Sequence, residues 1–247
     1  MQLARLAAEG QVVAKDLASE LGTSEDTIRR DLRDLRELAA EGKPQRVHGG
    51  ALPASASMGD LGTRNQASVP DKVALGRYGA SLIESGQVVI LDGGTTALPV
   101  ARHLPPGLRA TIVTHSPNVA MELAPHAGME IIMLGGRLFR HSMVNVGAAV
   151  IDAASRLRAD LFFLGVTGIH PEAGLNTGDS EEAAVKRALH ARAAETVVLA
   201  SPEKLMAASP FVVLPLSEIS LVVVPTATPE RVARALRIGG VKVRRID

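Results

Sequence analysis

The sequence of 247 residues contains no cysteine and no tryptophan, and its aromatic side chains are limited to four Phe and one Tyr. Without Cys there are no disulfides, no thiolate zinc ligands and no thiol nucleophile, which fits a reducing compartment such as the cytoplasm. Five rings argue against a protein that grips single-stranded nucleic acid by stacking, and against an aromatic-anchored interface. Long hydrophobic runs are missing too. The longest unbroken apolar stretch is four residues, as in Val88 to Leu91, whereas a membrane helix needs roughly 18. No signal-like segment is read at the start, so no membrane partner is expected. Charge of one sign does not dominate: 27 Lys and Arg face 26 Asp and Glu, a net +1, so bulk charge names no acidic partner. What is there is enough apolar material for a sizeable core, 46% of the residues.

The first 52 residues carry helical apolar spacing. From Ala51 to Pro70, eleven of twenty positions are Ala, Ser, Gly or Pro, too little apolar bulk to order a chain, and residues 53–70 are expected to be a linker. Beyond it, β-branched runs at 88–91, 111–114, 131–134, 161–166, 196–200, 221–224 and 241–244 alternate with amphipathic stretches at 71–83, 180–194 and 229–238. The runs are apolar throughout instead of alternating, as in strands buried on both faces of a parallel sheet. An α/β fold follows: a small N-terminal helical domain at 1–52 and a doubly wound, mostly parallel domain at 71–247.

Leu17 and Leu21 lie four apart before a break at Gly22, after which Thr23 or Ser24 can cap a helix running from Glu25 through Leu38. Helix, glycine turn and capped helix is helix-turn-helix spacing. Ile28, Leu32 and Leu35 share one face and are expected to pack on Leu17 and Leu21, while Arg29, Arg33 and Arg36 gather on a flank, with Thr27 and Arg30 farther round. Such a helix can lie in a major groove, its guanidinium groups on phosphates or guanine edges. The plainer reading is a solvated helix whose Arg and Asp pair across turns. Residues 1–52 hold eight basic and nine acidic side chains, so charge does not choose between the two. Arg46-Val47-His48-Gly49-Gly50-Ala51, a β-prone pair between basic groups and a Gly-Gly turn, suits a small wing against a DNA backbone and favours the first.

In the second domain, Val88 to Leu91 run into Asp92-Gly93-Gly94-Thr95-Thr96 and then a helix from Ala97 to about Leu104. A strand, a Gly-Thr loop and a helix start can cradle a phosphate. A Thr-capped turn explains the same residues. Neither a Walker nor a dinucleotide spacing is present, nor a Gly-x-Ser-x-Gly elbow, and the seven His show no metal-binding spacing. His115, alone after an apolar run, reads as a hydrogen-bonded structural residue.

Thr27-Ile28-Arg29-Arg30-Asp31-Leu32, followed by Arg46-Val47-His48-Gly49-Gly50-Ala51, resembles the signature of the DeoR family of bacterial winged helix-turn-helix repressors. The resemblance runs through nearly the whole chain: Lys72, Asp92 to Thr96, Thr114-His115-Ser116 where Thr-Asn-Ser is usual, Gly135-Gly136, Gly147, Asp160, Gly165, Glu182 in the run to Lys186, and Lys204. It implies a sensor domain related to sugar-phosphate isomerases. Gly94, Thr95, Thr96, Lys72 and Lys204 would hold the phosphate of a phosphorylated sugar or polyol effector, and Asp92, Asp179 and Glu182 its hydroxyls. Duller roles exist for Lys72, as a solvated residue, and for Glu182, as a helix-start acid. Thr27, Arg29, Arg30, Arg33, Arg46 and His48 would meet double-stranded operator DNA.

The pattern departs from the family in places. Nine residues precede Gly10, so about two turns of the usual first helix are expected to be absent, unless the true start lies upstream. About three residues are extra near Arg36 to Leu38, Lys43-Pro44 replaces an apolar pair before the wing, Ser201-Pro202-Glu203 replaces Asp-Ser-Ser, and Val224-Pro225 replaces Thr-Asp. The expected function is an effector-controlled DNA-binding repressor, a homo-oligomer (dimer or tetramer) without cofactor or metal. The alternative is an isomerase-like enzyme with Asp92 or Glu182 as general base, but an isomerase has no need of the fused DNA-reading unit.

Overall fold

The computed structural model describes residues 12–38, 45–47, 50–52, 55, 59 and 61–247. The N-terminal unit comprises β1 (Val12–Val13), α1 (Ala14–Glu20), α2 (Glu25–Leu38), β2 (Gln45–Val47) and β3 (Gly50–Leu52). Between the helices Gly22 takes φ 62°, a left-handed turn that other residues adopt only at a cost. Ser24, not Thr23, is the cap: its Oγ accepts the Thr27 N–H at 3.1 Å. Ala14, Leu17 and Ala18 pack on Ile28 and Leu32. Leu21, expected in that cluster, is 37% exposed, because α1 has already ended and Leu21 occupies its C-cap in a non-helical conformation. The Leu35 side chain lies outside the described residues. Strand β3 pairs antiparallel with both β1 and β2. The wing is therefore part of a three-stranded sheet, whose first strand is a Val-Val pair too short to carry a sequence signal.

The linker expected at 53–70 is corrected by α3 (Leu61–Gln66) and by α4 (Val69–Ser81), which starts inside it with Pro70 in its first turn. Ser55 and Arg64 are buried. Both are held by polar contacts, and low apolar content is no guide to that.

The second unit continues with β4 (Val88–Leu91), α5 (Ala97–Arg102), β5 (Ala110–Thr114), α6 (Pro117–Leu123), β6 (Met129–Met133), β7 (Arg137–Phe139), β8 (Val144–Val146), α7 (Ala148–Ser155), β9 (Ala159–Phe163), β10 (Gly168–His170), β11 (Gly174–Thr177), α8 (Ser180–His190), β12 (Ala193–Leu199), β13 (Phe211–Leu214), β14 (Leu221–Pro225), α9 (Glu230–Ile238) and β15 (Val243–Ile246). Seven strands form one parallel sheet in the order β15-β14-β12-β9-β4-β5-β6. All seven strands expected from the apolar runs are in it. Leu75, Val100 and Val119, from α4, α5 and α6, cover one face against Val89, Ile112 and Phe163. Val150, Leu189 and Leu236, from α7, α8 and α9, cover the other against Ile90, Phe162 and Val198. Sequence neighbours such as Val89 and Ile90 serve opposite cores, so the central runs are apolar at successive positions, while edge strand β15 is Val-Arg-Arg-Ile. Strands β7, β8, β10 and β11 are short and mixed in polarity, whereas β13, Phe-Val-Val-Leu, is an apolar run as plain as that of β4 and is not among the expected strands.

Ser24→Ala removes the cap of α2 and is expected to destabilise the DNA-reading unit by about 1 kcal/mol, seen as an earlier first transition in urea unfolding followed by circular dichroism.

Candidate functional site

A cleft opens at the carboxyl ends of β4, β9 and β12. Strand order turns there, since β5 and β6 lie on one side of β4 and β9 on the other, and that is where open α/β sheets hold ligands. Its walls are the loop Gly93 to Thr96 after β4, the loop Leu164 to Thr167 after β9, Lys204 after β12, Glu182 and Lys186 on α8, Ser142 from the β7–β8 hairpin, and Arg64 from α3. The structure thus brings together five of the eight residues expected to bind an effector: Gly94, Thr95, Thr96, Glu182 and Lys204. Gly94 has φ 102°, a backbone turn that suits glycine. The helix that follows, α5, spans six residues, so the cationic side chains, more than its dipole, set the charge of the cleft.

Asp92 is not in the cleft wall. It is fully buried beneath it, accepting hydrogen bonds from His115 Nε2 at 2.6 Å, Lys186 Nζ at 2.6 Å, Gly93 N at 2.7 Å and Gly165 N at 2.9 Å. Burial alone would favour its neutral form, but Lys186 and His115 outweigh it and hold the carboxyl well below the usual carboxylate range. On Lys186 burial pulls downward, and Asp92 with Glu182 more than compensates, leaving the ammonium above its ordinary value. Expected as a hydroxyl ligand, Asp92 is instead an internal strut, because every oxygen is engaged. The same engagement removes it as a general base. Glu182 accepts from Thr177 Oγ1 at 2.8 Å and lies 3.3 Å from Lys186 Nζ, so it is held in place on the cleft wall. His115 spans Asp92 and the Asn145 carbonyl oxygen, 2.7 Å from its Nδ1, which is the structural role expected for it.

Two further expectations change. Asp179 is the N-cap of α8, accepting from Glu182 N at 2.9 Å, and is not a cleft residue. Lys72 is buried behind the cleft, donating to the Arg64 carbonyl oxygen at 2.6 Å and lying 3.4 Å from Glu203. Burial lowers its pKa, opposed by Glu203. Lys204 is buried with a hydrogen bond from Nζ to Thr96 Oγ1 at 3.1 Å. Burial pushes it down to about 8; Glu203 opposes this, and Lys72, Arg64 and Lys186 add to it. Arg64 and Lys186 were not foreseen: one fell in the expected linker, and the other looks like the solvated partner of Glu182 four residues earlier on a helix.

On α2, Arg29 is paired with Glu25 at 3.0 Å and Asp26 at 3.8 Å, as in the plainer reading of that helix. Arg30 is exposed and, among the described residues, not ion-paired. Thr27 Oγ1 lies 2.9 Å from Ser24 Oγ. Arg33 and Arg46 lie in α2 and β2, while His48 falls outside the described residues.

A capped helix-turn-helix with a wing, fused to a parallel α/β domain with a cationic cleft, matches known families. Residues 68–226 match the DeoR C terminal sensor domain and residues 3–56 the DeoR-like helix-turn-helix domain. The chain belongs to the DeoR family. The HTH-type transcriptional regulator GlpR of Haloferax volcanii is 37% identical over 194 residues, 77% of this chain and 74% of its own length. The Glycerol-3-phosphate regulon repressor of Escherichia coli is 34% identical over 182 residues, 73% of this chain and 71% of its own. Ribose 5-phosphate isomerase A of Methanocaldococcus jannaschii aligns in structure with TM-score 0.42 and 18% identity over 56% of this chain and 55% of that one. This DeoR-family chain is a DNA-binding transcriptional regulator with an effector-binding sensor domain, and not an enzyme. No helix among the described residues is long and apolar enough to cross a membrane.

Asp92→Ala strands the buried Lys186 and is expected to cost the sensor domain about 3–5 kcal/mol, read from the urea midpoint. Because the Asp92 pKa is depressed, its stabilisation is fully present above about pH 4, the unfolded carboxylate value, and is lost as pH falls below it. The difference between wild type and variant should shrink on acidification.

Proposed function

We propose that this DeoR-family regulator is a repressor of carbohydrate genes in the cytoplasm, released from its operator by a phosphorylated sugar or polyol bound in the cleft. The observation that carries this reading is Lys204, a buried ammonium held at about 8, whose neighbours include more cations than acids. A buried cation beside other cations is costly until an anion arrives. Lys186 and the Gly94-Thr95-Thr96 loop share that wall, and Glu182 and Ser142 offer groups for hydroxyls. The name of the Escherichia coli relative, with glycerol-3-phosphate in it, is consistent with an effector of this class.

In this reading residues 1–52 hold the operator and the domain from 71 onward senses the effector. The protein acts as a homo-oligomer, because paired half-sites call for a symmetric reader. Arg30, exposed and not ion-paired, is the strongest phosphate or base contact on α2, with Arg33, Thr27, Arg46 and His48 around it and Arg29 weakened by its acidic partners.

Thermal shift against sugar and polyol phosphates tests the ligand class, since a ligand at a hundred times its Kd adds about 2.7 kcal/mol. If no phosphate monoester raises the Tm while unphosphorylated sugars do, the class is wrong. Lys204 is charged below about pH 8, and a phosphate monoester is a dianion above about pH 6. Affinity should therefore peak between these values and fall as pH rises through 8, with proton uptake visible by calorimetry in buffers of different ionisation enthalpy. Lys204→Met should weaken binding about tenfold or more. For DNA, Arg30→Ala should lower operator affinity and take about one unit from the salt slope, and Arg29→Ala should do less, as measured by gel shift across a salt series.

A further inference from the structure

Two described residues between the wing and the sensor core, Ser55 and Arg64, are held by polar contacts that end on walls of the cleft. Ser55, three residues beyond the last strand of the wing, is buried: its N–H donates to the Ala208 carbonyl at 3.3 Å and its Oγ to the carbonyl oxygen of Thr167, and Thr167 lines the cleft. Arg64 is the buried residue of α3. It lines the cleft and donates to the His141 carbonyl at 2.5 Å, next to cleft-lining Ser142. Its own carbonyl takes Lys72 Nζ. Lys72 faces Glu203, which accepts from Ser68 Oγ at 2.8 Å and Ser201 Oγ at 2.7 Å, beside cleft-lining Lys204. Ser68 separates α3 from α4 in a left-handed conformation, φ 50°, unusual for a residue with a Cβ.

No residue of α3 belongs to either apolar core. An element held by charge and hydrogen bonds, without apolar burial, has low local stability and responds to a change in local charge. A ligand shifts an equilibrium only through contacts that differ between the two states. We infer that Arg64 is the effector-sensing residue contributed by the interdomain segment itself: an anion in the cleft pairs with its guanidinium, and α3 and the Ser55 anchor carry that change to the wing. This rests on the cleft being a phosphate site. Arg64 is then both a ligand-binding residue and the start of the route by which occupancy weakens DNA binding, with the reciprocal weakening of effector by operator.

The test is hydrogen exchange of the full chain with and without saturating glycerol 3-phosphate, ribose 5-phosphate or inorganic phosphate, saturation being set by thermal shift. In the wild type, peptides spanning 45–66 should change exchange rate threefold or more. Arg64→Gln should bind about tenfold more weakly and, at its own saturation, leave those peptides unchanged. Arg64→Lys, which keeps the charge without the fork, serves if the glutamine variant does not fold. Ser55→Ala should bind the probe within about twofold of wild type while the response at 45–52 disappears and that at 61–66 persists. A wild type whose Tm rises with a probe while 45–66 exchange as before overturns the inference and leaves the phosphate site standing, as does an Arg64 variant that responds like wild type. A wild type that binds none of the three probes overturns the phosphate site, and the inference with it.

Discussion

One buried carboxylate organises the sensor domain. Asp92, with no exposed surface, gathers the end of β4, the loop after β9 through the Gly165 amide, the end of β5 through His115, and α8 through Lys186. Four donors around one carboxylate replace the water it loses, so burial is tolerated, and the geometry of four separate elements becomes interdependent. The cleft lies directly above this knot. Its floor is fixed by hydrogen bonds that engage both oxygens of the strut below.

Around Lys204, cations outnumber acids. In and beneath the cleft wall, Asp92 and Glu182 engage Lys186. Behind it, buried Lys72 lies against Glu203, whose carboxyl is held below its ordinary value: burial raises its pKa, but Ser201, Ser68 and Lys72 outweigh that. Strand ends thus carry a closely paired buried cluster around Asp92 beside a cationic one around Lys204.

The DNA-reading unit follows a different economy. Its net charge is negative, so nothing in bulk attracts DNA, and the work falls to the placement of a few guanidinium groups. Glu25 and Asp26 serve the positive end of α2 and at the same time engage Arg29. Only the three-dimensional pairing separates Arg30 from Arg29, although the two are adjacent in a motif that treats them alike.

Much was legible in one dimension for a definite reason. Central strands of a parallel sheet covered on both faces are apolar along their buried length, and the helices between them are amphipathic, so β4, β5, β9 and β14 announced themselves, whereas edge strand β15, Val-Arg-Arg-Ile, carries charge. The helix-turn-helix was legible because Gly22, Ser24 and the Ile28 and Leu32 spacing each meet a local backbone or packing demand. The Gly-Thr loop and Lys204 were legible through resemblance. What the tertiary structure alone decided is who faces whom. It made Asp92 a strut and not a ligand, Asp179 a cap, and Lys72 a support for Arg64. It also buried Ser55 and put Arg64 on the cleft wall, two residues of a Ser-Ala-Gly-rich stretch. These assignments depend on contacts such as that between Asp92 and Lys186, 94 positions apart, and no local pattern of residues encodes a pairing that only the folded sheet brings within hydrogen-bond reach.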